Sequence, residues 1–124
     1  MAYEQKILRA AGRIDLAARV RQISRENVAA GYDIASFNTD GEPTYIEVKA
    51  TKTDSTSFEI TENERRTAKR YASRYWIYHV QRIEIKPHVL RYQNPVAMLA
   101  EGQLVSKVTA WRVFLGDVND RVED

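Results

Sequence analysis

Gly31-Tyr32-Asp33-Ile34-Ala35-Ser36-Phe37 and Thr44-Tyr45-Ile46-Glu47-Val48-Lys49-Ala50 are joined by Asn38-Thr39-Asp40-Gly41-Glu42-Pro43. Both flanking runs are rich in aromatic and β-branched residues. The Asp-Gly pair between them is a strong turn signal, and the whole predicts an antiparallel hairpin. Successive strand side chains point to opposite faces, so Tyr45, Glu47 and Lys49 share one face while Ile46, Val48 and Ala50 share the other. The aliphatic face is a core face. Glu47 and Lys49 stand roughly 6–7 Å apart along the strand, near enough to address one ion or water together. If hairpin partners have numbers that sum to an even value, Asp33 lies on the same face, opposite or diagonal to Glu47.

Two carboxylates facing one another across a sheet repel unless something compensates. A hard divalent cation compensates, and an all-oxygen donor set suits Mg²⁺ or Mn²⁺. Such a cation can orient a water and neutralise charge on a phosphoryl oxygen. Lys49 could then position or deprotonate the water, or hold a phosphate as a point charge.

Outward from the hairpin, Tyr3 to Ala11 places Tyr3, Ile7, Leu8 and Ala11 on one helical face, with Gly12 as a stop. A short strand is expected within Ala18 to Ser24, and Thr51 to Ser57 reads as a loop. Thr61-Glu62-Asn63-Glu64 matches a capping box opening a helix to about Ala72. Helical spacing sets Glu64 on a stripe with Ala68, Tyr71, Ala72 and Tyr75, facing the sheet. Glu64 is therefore either a cap or a support for the acidic site. Tyr75 to Val80 predicts a central strand. Two further strands are expected at Val89 to Tyr92 and Lys107 to Leu115, separated by Asn94-Pro95 and a short polar stretch. The element order implies a mixed α/β sheet with helices packed against it.

Arg65, Arg66, Lys69 and Arg70 form a basic cluster on the rest of that helix, with Arg74 beyond. They are either a solvated face or phosphate contacts. His79 shares its phase with Ile77 and reads as core or sheet surface, and two histidines with no matching spacing make no zinc motif. Tyr75, Trp76 and Tyr78 could stack on bases, but aromatic strand residues of this kind are far more often core. The 124 residues predict one domain from end to end, with 44% hydrophobic and 29% charged residues in the ordinary globular range. No apolar run or charged-then-apolar leader stands out, so neither a membrane span nor a signal peptide is expected. Zero cysteines exclude disulfides, thiolate zinc sites and cysteine nucleophiles, and fit a reducing cytoplasm. A net charge of +2 neither demands nor forbids a nucleic-acid partner. The chain has no Gly-rich phosphate loop and no nucleophile elbow, so an NTPase or serine hydrolase finds no support.

An acid at the head of one strand followed by Glu-x-Lys on the next resembles the PD-(D/E)xK nuclease superfamily. More narrowly, the chain resembles the domain at the C-terminus of the NO VEIN protein, found also in bacterial restriction-linked proteins. Ala11-Gly12-Arg13 with Asp15-Leu16-Ala17, Gly31-Tyr32-Asp33-Ile34, Ile46-Glu47-Val48-Lys49-Ala50-Thr51, Asn63-Glu64, and Tyr75-Trp76-Ile77-Tyr78 with Val80 carry the likeness, across nearly the whole chain. The resemblance implies a restriction-endonuclease-like α/β fold. It also implies Asp33 and Glu47 as metal ligands, the Val48 carbonyl completing the site, and Lys49 as catalytic lysine. Members of the family usually begin with a longer helix bearing a Gly-Glu pair, which this sequence lacks; Glu4 lies in the remaining part of that helix. Two functions follow. One is a Mg²⁺- or Mn²⁺-dependent DNA nuclease of a restriction or defence system, working as a dimer or with targeting partners. The other is a nuclease-fold module that binds DNA or protein with little chemistry.

Overall fold

The computed structural model describes residues 1–24, 27 and 29–116. Helices α1 (Ala2–Ala10) and α2 (Ile14–Ala17) precede strands β1 (Arg21–Gln22), β2 (Ile34–Phe37) and β3 (Pro43–Ala50). Helix α3 (Glu62–Tyr71) and a 3₁₀ turn over Ala72–Arg74 then lead to β4 (Tyr75–Gln81), β5 (His88–Gln93) and α4 (Pro95–Ala100). The five strands form one mixed sheet in chain order, parallel only between β3 and β4. That one parallel pair follows from α3, because a parallel return needs a crossover.

The β2–β3 hairpin forms as its pattern predicts. Gly41 adopts φ +97° in the connection, and its N–H donates to the Asn38 carbonyl at 2.9 Å. Strand alternation divides the interior in two. Ile34, Ile46 and Tyr78 pack with Leu8, Leu16, Ala17 and Val20 on the α1 face. Tyr75 and Ile77 pack with Ala68 on the α3 face. The hydroxyl and carboxylate of the predicted box close α3 at its start, with Glu64 N–H donating to Thr61 Oγ1 at 3.1 Å and Thr61 N–H to Glu64 Oε1 at 2.9 Å.

Three expectations are corrected. Ala72 leaves the stripe: the helix ends at Tyr71, and Ala72 turns outward at φ +50°, exposed to solvent. Asn94-Pro95 opens α4 rather than a polar spacer. Asn94 Oδ1 accepts the Ala97 N–H at 3.2 Å and Pro95 occupies the first turn, where its missing N–H costs nothing. The stretch Lys107 to Leu115 forms no strand, and its Trp111, Val113 and Leu115 side chains stand exposed. It pairs with no strand among the described residues.

The approach to β2 is held tightly against α3. Gly31, at φ +82°, lies so close to Thr67 that a Cβ there would overlap its side chain. The Tyr75 hydroxyl donates to the Gly31 carbonyl at 2.8 Å, and Asn63 Nδ2 donates to the Ala29 carbonyl at 3.0 Å. Gly31→Ala is expected to cost about 2–4 kcal/mol, from the left-handed backbone and the overlap together. Urea denaturation should show the midpoint fall. Adding Thr67→Ala should recover part of that loss, and an unrecovered midpoint would refute the overlap.

Candidate functional site

The regular ladder between β2 and β3 ends at Ile34 opposite Ile46. Beyond it, the Asp33 N–H donates to the Ile46 carbonyl at 2.8 Å, and Asp33 Oδ2 accepts the Val48 N–H at 2.8 Å. The Asp33 carboxylate thus takes up a backbone donor of β3 at the point where strand pairing stops. Across the parallel pair, Glu47 stands beside Ile77 and Lys49 beside His79. Asp33, Glu47 and Lys49 gather on the α3 face, and Glu64 reaches down to them from the first turn of α3. Lys49 Nζ lies 2.7 Å from Glu64 Oε1 and 3.4 Å from Glu47 Oε2.

The electrostatics of this group are lopsided. Glu47 is only 6% exposed. Burial, its hydrogen bond to Glu64 and the nearby Asp33 charge push its carboxyl up to about 8, with Lys49 opposing only partly. Burial also works against charge on Glu64, but the Lys49 ammonium and the Thr61 N–H prevail and hold Glu64 below the usual carboxylate range. Lys49 is itself penalised by burial, yet Glu64 and Glu47 keep it more basic than an ordinary lysine. The arrangement favours the proton-bearing form of Glu47 and the charged forms of Glu64 and Lys49.

The donor chemistry fits a hard cation. Among the described residues no three His, Cys, Asp or Glu side chains are grouped as a ligand set. The expected set, however, has only two carboxylates and the Val48 carbonyl, all oxygen. A desolvated carboxyl beside a second carboxylate holds its proton for want of positive charge, and a divalent ion relieves that same deficit.

Of the basic residues, Arg65 is exposed and pairs with Glu62 at 3.1 Å, while Arg66, Lys69 and Arg70 are exposed on α3. Arg70 lies over the Tyr71 ring, 5.4 Å from its centre. His79 is fully buried, as its phase predicts, with Nε2 3.0 Å from Thr51 Oγ1. Glu4 does not join the site. It is buried on the opposite face, where Ser36 Oγ donates to it at 2.9 Å and the Tyr78 hydroxyl at 2.6 Å. A cleft of about 320 Å³ opens on that same far side, lined by Glu4, Phe37, Thr44, Trp76 and Arg91, away from Lys49. Sequence reasoning missed the clamp made by Asn63, Thr67 and the Tyr75 hydroxyl. The φ-demanding Gly31 was its only local signal.

A mixed α/β domain results, its sheet sandwiched by helices, with an acid–acid–lysine group where the hairpin meets α3. The chain belongs to the family described as Protein NO VEIN, C-terminal, whose model matches residues 1–92. The match is narrower than the expected likeness across nearly the whole chain and stops short of α4. No curated protein and no solved structure matches. No helix among the described residues is long and apolar enough to cross a membrane.

Glu47 makes stability depend on pH in a defined direction. Its carboxyl titrates near 4.5 in the ordinary state and near 8 in the fold. Between these values the folded state keeps a proton that the unfolded chain has released, so metal-free stability should fall as pH rises through that window. Glu47→Gln should flatten the dependence and raise the melting temperature by several degrees at pH 8, without metal. Thermal melts from pH 4.5 to 8.5 check this, and an unchanged slope in the variant would place the titration elsewhere.

Proposed function

We propose that this domain is a metal-dependent nuclease of the PD-(D/E)xK type that hydrolyses DNA phosphodiester bonds, in the cytoplasm, as a module of a restriction or defence system. The observation that carries the reading is the buried Glu47, which stands among Asp33, Glu64 and Lys49 with more negative than positive charge around it. Such a group weakens the fold and is retained where chemistry needs it. Asp33, Glu47 and the Val48 carbonyl would hold Mg²⁺ or Mn²⁺. When bound, the ion would lower the pKa of a water and neutralise charge gathering on phosphoryl oxygens. The chain's own part falls chiefly to Lys49. Held charged by Glu64, it suits a phosphate oxygen better than it suits general-base work, and its fixed ammonium costs no reorganisation as charge develops. Glu64 aims that ammonium, and Asp33 is aimed by the Val48 N–H. Arg66, Lys69 and Arg70, exposed on the same helix as Glu64, would meet flanking phosphates. Cutting both strands calls for two such sites, supplied by a second copy, with targeting left to partner proteins.

Metal linkage tests the site. A cation bound only by the folded state stabilises it by about 2.7 kcal/mol at a hundred times its dissociation constant. Mn²⁺ should therefore raise the wild-type melting temperature by several degrees. In Asp33→Asn that shift should shrink or vanish, while Lys49→Ala should keep it and lose plasmid cleavage by about a hundredfold or more. Equal Mn²⁺ shifts in wild type and Asp33→Asn would move any bound ion elsewhere.

One observation favours a second reading, a DNA-binding or protein-interaction module with little chemistry. Asp33 and Lys49 each have a partner within the fold, Val48 N–H and Glu64, that accounts for them structurally. DNA affinity in EDTA without cleavage in Mn²⁺ would favour it. Under either reading, Arg66→Ala, Lys69→Ala and Arg70→Ala together should weaken DNA binding and flatten its salt dependence by roughly one unit of slope per lost contact. Affinity and slope that both stay put would make the cluster a solvated face only.

A further inference from the structure

The cleft on the α1 face lies away from Lys49 and has no part in the nuclease reading. Its floor is polar. Thr44 stands opposite Ser36 in the β2–β3 ladder, and alternation with Ile34 and Ile46 puts both on the face that α1 covers. Ser36 Oγ donates to one Glu4 oxygen at 2.9 Å and the Tyr78 hydroxyl to the other at 2.6 Å. Those two hydroxyls spend their protons on Glu4, whose carboxylate keeps further lone pairs to offer. Thr44 is different. It lines the cleft at only 3% exposure, yet its Oγ1 has no hydrogen-bond partner. A buried hydroxyl left unpaired costs stability, and valine would fill the same volume without it.

Charge is divided across the cleft as well. Glu4 is 5% exposed and has no ion-pair partner among the described residues, where a buried carboxylate ordinarily has one. Arg91 is exposed, and its guanidinium lies 4.8 Å from the centre of the Trp76 ring and 5.2 Å from that of Tyr78. Both charged groups line the cleft, but no ion pair joins them. Phe37 and Trp76, each half-buried, add apolar surface. The volume, about 320 Å³, is that of a small-molecule site.

We propose that this cleft binds a small zwitterion, an ammonium joined through a short apolar stem to a carboxylate or phosphate. The ammonium donates to Glu4 and to Thr44 Oγ1 at the floor, the stem lies against Phe37 and Trp76, and the anionic end pairs with Arg91. A plain anion would meet Glu4 and the exposed Asp40, and a plain amine would gain nothing from Arg91.

Amide chemical-shift mapping with calorimetry tests this, using glycine, 4-aminobutyrate and 6-aminohexanoate, with hexylamine and hexanoate as single-charge controls. At least one of the amino acids should shift the amides of Phe37, Thr44 and Trp76 and bind more tightly than either control. Thr44→Val should weaken that binding roughly 10-fold, the worth of a hydrogen bond to a charged donor. It should do so without lowering the melting temperature, because the hydroxyl it removes has no partner in the fold. Arg91→Gln, at an exposed position, should weaken the amino acid roughly 2- to 5-fold and should not weaken hexylamine. The proposal fails if none of the three amino acids shifts those amides, or if hexylamine or hexanoate binds as tightly as they do. Wild-type affinity in Thr44→Val would also overturn it, as would a lowered melting temperature there, which would give the hydroxyl a role in the fold instead.

Discussion

Glu64 Oε1 accepts two donors at once, the Thr61 N–H at 2.9 Å and the Lys49 ammonium at 2.7 Å. The first starts α3 where its orphan amides need a partner, and the second ties that helix end to the middle of β3. A crossover helix could slide along a sheet if only apolar contacts held it. This charged contact, largely shielded from water, specifies one position for α3. Two further contacts hold the same helix end region: the seat of Gly31 on Thr67, and the Tyr75 hydroxyl at the Gly31 carbonyl.

The same contact explains how the fold tolerates Glu47. A carboxyl in that place, ionised, would face Asp33 and Glu64 with one ammonium between three groups. Keeping its proton removes the conflict at the cost of a raised pKa. The polar group on the α1 face is handled differently. Glu4 is equally buried, but two hydroxyls, from Ser36 and Tyr78, donate to it at short range. One buried acid is satisfied by neutral donors, while the other sits beside two further carboxylates and a single ammonium.

How legible this was depends on the range of the interactions. The β2–β3 hairpin, the capping box of α3, and the strands Tyr75–Gln81 and His88–Gln93 are announced by contacts within a few residues or by alternation against a core. The expected strand within Ala18 to Ser24 shrinks to Arg21–Gln22, since its pairing is limited to two residues of β2. Asn94-Pro95 carries a local helix-start signal, an Asx cap followed by Pro in the first turn, in a dipeptide that also suits a spacer. Lys107 to Leu115 shows that an apolar-rich stretch does not by itself make a strand, because a strand needs a partner to pair with.

For the site, the sequence by itself determined that Glu47 and Lys49 share a face, because the side-chain period of a strand is two. It also determined that Glu64 begins a helix, because a capping box is local. It did not determine that Asp33 turns its carboxylate to the Val48 N–H, that Glu64 and Lys49 meet, or that Tyr45 and Tyr71 stack with Tyr32 nearly perpendicular to them. Those residues lie far apart along the chain. They meet only through the crossover of α3 and the register of the sheet, and both were decided by the tertiary structure.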